Sequence, residues 1–512
     1  MPSYTYKILI SLFIVLFFFY LTFFLSNNYF PLDRHWTAFY DHELTLTYNA
    51  LLFNSGKLHE YVDHSGYFTI LFLSIFFKLL SFIDLLSVYN ITIFNQNNNL
   101  DQDLQNLLYF TRLFGILSIS IFCLVAFWTF NLFSKDKLLS FLITTILFLS
   151  IGTYSHFFQL RTELISMIFF MMSFFCLSFL FLKKQNSTTK YLIFFFLLLF
   201  CGILNKAQVF FYLPIILLII YFIKAENNIN FNYENYKFLE NKHFLHYFFL
   251  LIIIYFLLKL STGTASFLSI LFIFLNILFI NIFFYLKFKI NKIEAYKNLK
   301  IINLFLVISY ILLRLILSAH PSTNELAFNN TFTEIISNTF KYTSISNDGD
   351  KSFFYLIIEI IKNFKNHLYL IFGSLNYYSA LISILLFLNL LNKKNKSAIL
   401  FNLVCIFSFF LISAINGLRS DNNNLEIVSY YFIFSDFFLI LAFTSFKELF
   451  NKKFFLILIP ILVLIFYLNY PIIKSISIPK AKIEALCNDT YFYDWQKAIP
   501  PLRFKEYCEK NL

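Results

Sequence analysis

A chain of 512 residues that is 59% hydrophobic and 13% charged has about half the charged fraction of a soluble domain. That leaves too little polar surface for two or three water-soluble domains and directs the apolar excess into lipid. The net charge of +12 comes from lysines clustered between apolar runs. This is the pattern of cytoplasmic loops between membrane spans, and it argues against a nucleic-acid partner.

Taken in chain order, the first apolar run, Ile8 to Leu25, is too long for the hydrophobic region of a signal peptide. It also lacks a small-residue cleavage site, so it is expected to be a retained first helix with Lys7 inside. Polar chain follows over residues 26–106. It carries Asp41, His42 and Glu43, then Glu60, Asp63, His64 and Gly66. Acids just past the end of a first helix, near water, are placed to serve as a general base. An ordinary solvated acidic loop is the plainer reading of the same residues. His35, His42, His59 and His64 also lie here, but their spacing matches no metal motif, and no metal ligand is assigned.

The apolar segment Tyr67 to Tyr89 has the length of a span but contains Lys78 and Asp84, both costly at membrane depth. If it crossed, every later basic loop would invert. It is therefore expected to lie in the outer interface. Six short basic loops anchor the rest on the cytoplasmic side: Ser134 to Lys137, Lys183 to Lys190, Lys224 to Lys242, Lys287 to Lys300, Lys393 to Lys396 and Lys447 to Lys453. About thirteen transmembrane helices follow, with the N-terminus inside and a short tail, residues 471–512, outside. The expected fold is an all-α polytopic membrane protein, with one transmembrane domain over residues 1–470 and juxtamembrane helices in the first outer loop.

On this topology all six arginines, Arg34, Arg112, Arg161, Arg314, Arg419 and Arg503, fall at or near the outer face. The planar guanidinium fork suits phosphate, whereas pairing with loop carboxylates is the structural alternative. Arg161 and Glu163 stand two apart at the mouth of a span and form either a functional pair or a self-contained ion pair. Lys206 sits in a short turn after Gly202, and either snorkels to the surface or meets a phosphate. Arg419 precedes Tyr430 and Tyr431, which open the next span as belt residues or as a grip on a lipid phosphate. Of the six cysteines, Cys123, Cys176, Cys201 and Cys405 lie in apolar runs as small hydrophobes. Cys487 and Cys508 share the outer tail and are expected to bridge in an oxidising compartment.

The order of these features resembles the GT-C superfamily of glycosyltransferases, which includes the protein O-mannosyltransferases and the aminoarabinose transferase of lipid A. The acidic motif after helix one is matched by Asp41-His42-Glu43. The stretch before a non-spanning juxtamembrane helix is matched by Asp63 to Gly66. The Arg of the next helix is matched by Arg112, the second acidic site by Arg161 to Glu163, and the Gly-to-Lys turn by Gly202 to Lys206. The late Arg-Tyr element is matched by Arg419, Tyr430 and Tyr431. The resemblance covers residues 7–225 well and the late element more loosely. Ser65 stands where proline is usual, and the first motif has a residue between its two acids.

The resemblance implies a membrane glycosyltransferase acting on the extracytoplasmic face, in a bacterial inner or plasma membrane. It would move a hexosyl or pentosyl group from a polyprenyl-phosphate-linked donor to a lipid, glycan or protein acceptor, with inversion. Asp41, Glu43 and Glu163 are the implied catalytic residues. His64, Arg112, Arg161, Lys206, Arg419, Tyr430 and Tyr431 would bind substrate or phosphate. A divalent ion is an optional cofactor of the scheme and not a required one. The alternatives are a lipid-linked saccharide flippase or transporter, and a glycan polymerase. Transporters usually carry mid-span ionisable groups and internal repeats, and no repeat is visible here.

Overall fold

The computed structural model describes residues 4–222 apart from residues 30, 37, 39–42, 58, 60–65, 98, 158, 183–187 and 207. It also describes residues 249, 251, 252 and 254, and the stretches 267–287, 292–318, 353–372, 376–417, 431–449 and 455–475. Among these residues the regular structure is entirely helical. In the first part of the chain the helices are α1 (Tyr4–Tyr29), α2 (Glu43–Asn54), α3 (Tyr67–Phe82), α4 (Ile91–Gln96) and α5 (Leu100–Ser134). There follow α6 (Lys137–Phe148), α7 (Ile151–Tyr154), α8 (Thr162–Leu182), α9 (Thr188–Asn205) and α10 (Val209–Phe222). The later helices are α11 (Phe267–Lys287), α12 (Lys292–Ser318), α13 (Phe353–Phe372), α14 (Tyr377–Leu391), α15 (Lys396–Gly417), α16 (Phe432–Leu441) and α17 (Phe455–Ser475). α16 runs on as a 3₁₀ stretch over Ala442–Leu449.

Five of these segments are long and apolar enough to cross a bilayer: Tyr4–Tyr29, Leu100–Ser134, Thr162–Leu182, Asn298–Ile316 and Lys396–Asn416. At 1.5 Å per residue, 18 or more residues span the roughly 30 Å hydrocarbon core. The architecture is that of a helical, membrane-embedded protein. α3 has 16 residues, about 24 Å of helix. It stops at Phe82, short of the Tyr89 boundary expected from hydropathy, because Asp84 adopts a left-handed conformation with φ 58°. There Leu85 N donates to Leu80 O at 2.9 Å and Asp84 N to Ser81 O at 3.2 Å, closing a Schellman turn.

The first helix is docked by one stripe. Its buried residues are Ile14, Phe18, Thr22 and Ser26, spaced four apart, while Leu9, Leu12, Phe13, Leu16, Tyr20 and Phe24 face outward. An α-helix places i and i+4 on one face, so a single column meets the protein and the other faces are left to lipid. The column packs on α5, where the Trp128 indole N–H donates to Ser11 Oγ at 3.1 Å.

The core is organised around α16, every residue of which is buried. Eight of its ten residues are apolar and only Ser435 and Asp436 are not, so it has no broad polar face to show water and belongs in the interior. Phe437 stacks on Phe130 of α5 at 5.7 Å, and Phe174 of α8 meets Phe437 and Phe438 edge-on at 5.5 and 6.0 Å. Phe434 reaches Tyr212 of α10 at 5.0 Å. Gly152 in α7 allows the closest approach: a Cβ there would lie 2.3 Å from Ile433 N and 2.7 Å from an Asp436 carboxylate oxygen. The first of those atoms is backbone and cannot swing away. Gly152→Ala is therefore expected to cost about 3 kcal/mol or more, read as a lowered thermal midpoint of the purified protein in detergent.

Candidate functional site

Two buried carboxylates, each held by two cations, form the core of the candidate site. The first is Glu43, the opening residue of α2, where a negative charge is favoured by the helix dipole. Arg34 Nη2 lies 2.8 Å from its Oε1 and Arg112 Nε 3.4 Å from its Oε2. The Arg112 Nη1 also donates to the backbone carbonyls of Leu32 and Arg34 at 2.9 and 2.7 Å. Arg34 Nε donates to Ala38 O at 3.0 Å. These bonds fold the polar chain after α1 over the start of α2. Glu43 is fully shielded from solvent, so the solvated-loop reading does not describe it. Beside the triad, Thr47 and Thr111 share a hydroxyl–hydroxyl bond of 2.8 Å between α2 and α5.

The second carboxylate is Glu163, in the first turn of α8. Lys206 Nζ lies 2.7 Å from its Oε1, and Arg161 Nε 3.4 Å from its Oε2. The Arg161–Glu163 pair expected from spacing does form, but Lys206 joins it from the far end of α9 and is itself buried rather than snorkelling. His156 lies within electrostatic reach of Glu163. The whole turn Ser155–Thr162, where described, is buried under the end of α1, whose Ser26 hydroxyl donates to Phe157 O at 3.0 Å.

The two triads are neighbours at one end of the bundle. Leu160, next to Arg161, lies 3.8 Å from where a Cβ would stand on Gly115, less than one turn of α5 from Arg112. Asn205 ties the second triad to α3: its Nδ2 donates to Thr162 O at 2.6 Å, and its Oδ1 accepts from Thr69 N at 2.9 Å and Thr69 Oγ1 at 3.1 Å. Lys206 Nζ also sits 5.3 Å from the centre of the Tyr431 ring. Tyr431 O accepts from Asn416 Nδ2 at 3.2 Å, and Asn416 Oδ1 accepts from the Tyr212 hydroxyl. The late element of the chain thus reaches the second triad through Tyr431.

Each triad sets two cations against one buried carboxylate. In addition, Arg112 Nη2 is buried with no hydrogen-bond partner among the described residues. Cations in a dry site bind an anion far more strongly than the same groups in water. The carboxylates, committed to ion pairs on both oxygens, are suited to holding the cations in place.

Of the residues singled out from sequence, the structure gathers Glu43 with Arg112, and Glu163 with Arg161, Lys206 and Tyr431. Asp41, His64, Arg419 and Tyr430 lie outside the described residues, as do Cys487 and Cys508. Sequence reasoning assigned no site role to Arg34, His156, Asn205, Tyr212 or Asn416. For Arg34 a signal existed, since it is one of only six arginines and stands nine residues before Glu43. No spacing rule points to the others. No group of three or more His, Cys, Asp or Glu able to hold a metal ion occurs among the described residues.

Removing one partner of a buried ion pair strands the other, a loss of about 3–5 kcal/mol. Glu43→Gln and Glu163→Gln are each expected to lower the thermal midpoint by an amount of that order. Lys206→Met added to Glu163→Gln restores the original charge balance, so the double variant should be more stable than the sum of the single losses. A double-mutant cycle by thermal unfolding checks this, and strict additivity would refute the coupling.

No family model matches the chain, and no curated protein matches it.

Proposed function

We propose that the protein is a membrane glycosyltransferase that takes a sugar from a polyprenyl-phosphate carrier on the extracytoplasmic face. The observation that supports this most is the pair of neighbouring buried triads, which gather two arginines on Glu43 and an arginine and a lysine on Glu163 at the end of the bundle where α2 and α8 begin. A lipid phosphate is the kind of anion that clustered guanidinium and ammonium groups recognise. The reading retains the thirteen-span topology, with the first loop outside and α3 in the outer interface above the site.

In this scheme Asp41, two residues before Glu43, is the general base. It takes the proton of an acceptor hydroxyl or amine as that atom bonds to the anomeric carbon. The bond from that carbon to the carrier phosphate breaks, and the phosphate keeps the electron pair. Arg112, Arg161 and Lys206, with Arg419 from the late loop, stabilise the leaving phosphate. Glu43 and Glu163 hold those cations in position. His64, Tyr430 and Tyr431 line the sugar and carrier side, and a divalent ion, if used, would act on the same phosphate. The acceptor is a lipid, a glycan or a protein.

Asp41→Asn is expected to lower sugar transfer in isolated membranes by about 10²–10⁴-fold, with folding and expression unchanged. Release of polyprenyl phosphate from a panel of lipid-phosphate sugars measures it. Full activity in that variant would remove Asp41 from the mechanism. Mass spectrometry of envelope glycans with and without the protein identifies the product.

A second reading, a transporter or flippase of lipid-linked saccharide, is favoured by one observation: Asp436 is a fully buried carboxylate within a helix.

A further inference from the structure

Asp436 takes part in neither triad. It lies five residues beyond Tyr431 along the chain, about 7.5 Å of helical rise from that residue. The carboxylate is fully buried, and among the described residues no Lys, Arg or His pairs with it. One oxygen, Oδ2, accepts from Gly152 N at 2.9 Å, and the only other polar groups at the carboxylate among the described residues are the hydroxyls of Ser150 and Tyr378. Around it stand Tyr377 and Tyr378 of α14, both fully buried, the Tyr378 hydroxyl facing the Asp436 carboxylate and the Tyr377 hydroxyl facing Ser150. The side chain of Ser150, the N-cap of α7, neighbours both Asp436 and Tyr377, and its hydroxyl contacts Thr153 Oγ1 at 3.2 Å.

The titratable groups that interact with Asp436 are these two tyrosines. From the elements packed on α16, Lys137, Lys396 and Lys447 sit near helix ends, and Glu163 is engaged by Arg161 and Lys206. Cys405 and Cys176 are thiols on α15 and α8, and Tyr154 ends α7.

A lone carboxylate in a dry interior must be neutralised. One unit of positive charge balances it, whereas a divalent ion would leave a buried surplus. The surrounding donors are oxygens, from a carboxylate and hydroxyls, which suit a hard cation and not a soft one. We infer that Asp436, Tyr377, Tyr378 and Ser150 form a buried site for one monovalent cation, Na⁺ or a proton, which locks α16 to α7 and α14. The site rests on neither functional reading above, since both are compatible with it.

The test is thermal unfolding of the purified full-length protein in sodium-free choline buffer. One arm titrates NaCl at fixed pH against choline chloride, and the other varies pH without sodium. If Na⁺ is the occupant, the wild-type midpoint rises saturably with NaCl and not with choline chloride. Asp436→Asn is then flat, and Tyr378→Phe needs roughly tenfold more Na⁺, as expected for loss of one ligand hydroxyl. If a proton is the occupant, the wild type ignores NaCl and its midpoint falls as pH rises, and Asp436→Asn lacks that fall. Identical responses of wild type and Asp436→Asn to both titrations would overturn the site. Should Asp436→Asn fail to fold, Tyr377→Phe and Tyr378→Phe decide it: wild-type responses in both would overturn the site as well.

Discussion

A carboxylate carried out of water must find positive charge, and the polar architecture of this protein follows from that constraint. Glu43 and Glu163 are both fully buried, and each is gripped on both oxygens by cations. In each triad one of the two cations comes from a distant part of the chain. Arg112 reaches Glu43 across 69 residues, and Lys206 approaches Glu163 from the end of α9. The Coulombic attraction at these distances is large only because solvent is excluded, and exclusion is supplied by the helices that the charges draw together. Ion pairs and packing at this end of the bundle are therefore mutually dependent.

The apolar framework makes the exclusion possible. α16 is enclosed on all sides by phenylalanines of α5 and α8 and by Tyr212 of α10, and its close approach to α7 requires the glycine at 152. In lipid there is little hydrophobic gain from bringing helices together, so such contacts act through dispersion and shape. Hydrogen bonds of Asn205 and Asn416 then fix α3, α8, α10 and the start of α16 relative to one another. The bundle end that results gathers three arginines and a lysine around two buried carboxylates. Cations fixed in this way by buried carboxylates are the preorganised arrangement on which the proposed phosphate binding rests.

Much of the fold was readable in the chain because lipid imposes a simple rule. Every backbone group must be satisfied within its own helix, so long apolar runs become helices. That rule, with the i, i+4 column of α1, needs no knowledge of neighbours. The acidic and basic residues of the candidate site were visible for a related reason: charges are rare in such a chain, and Glu163 and Lys206 stand out against apolar surroundings. Their partnerships were not visible. Arg161 and Glu163 are two apart and were readable as a pair, but nothing in the spacing ties Lys206 to that pair, or Arg112 to Glu43.

The sequence by itself thus determined that the protein is helical and belongs in a membrane, that its first apolar run is a helix, and which charged residues are costly enough to need a purpose. Those are local properties, set by hydropathy and by the period of the helix. Only the tertiary structure decided that α3 stops at Phe82, that the turn before α8 is buried, and that Asp436 stands apart from the charges of both triads. Each of these depends on which distant atoms come within a few ångströms, and the electrostatics of a buried charge are governed by that neighbourhood and not by its place along the chain.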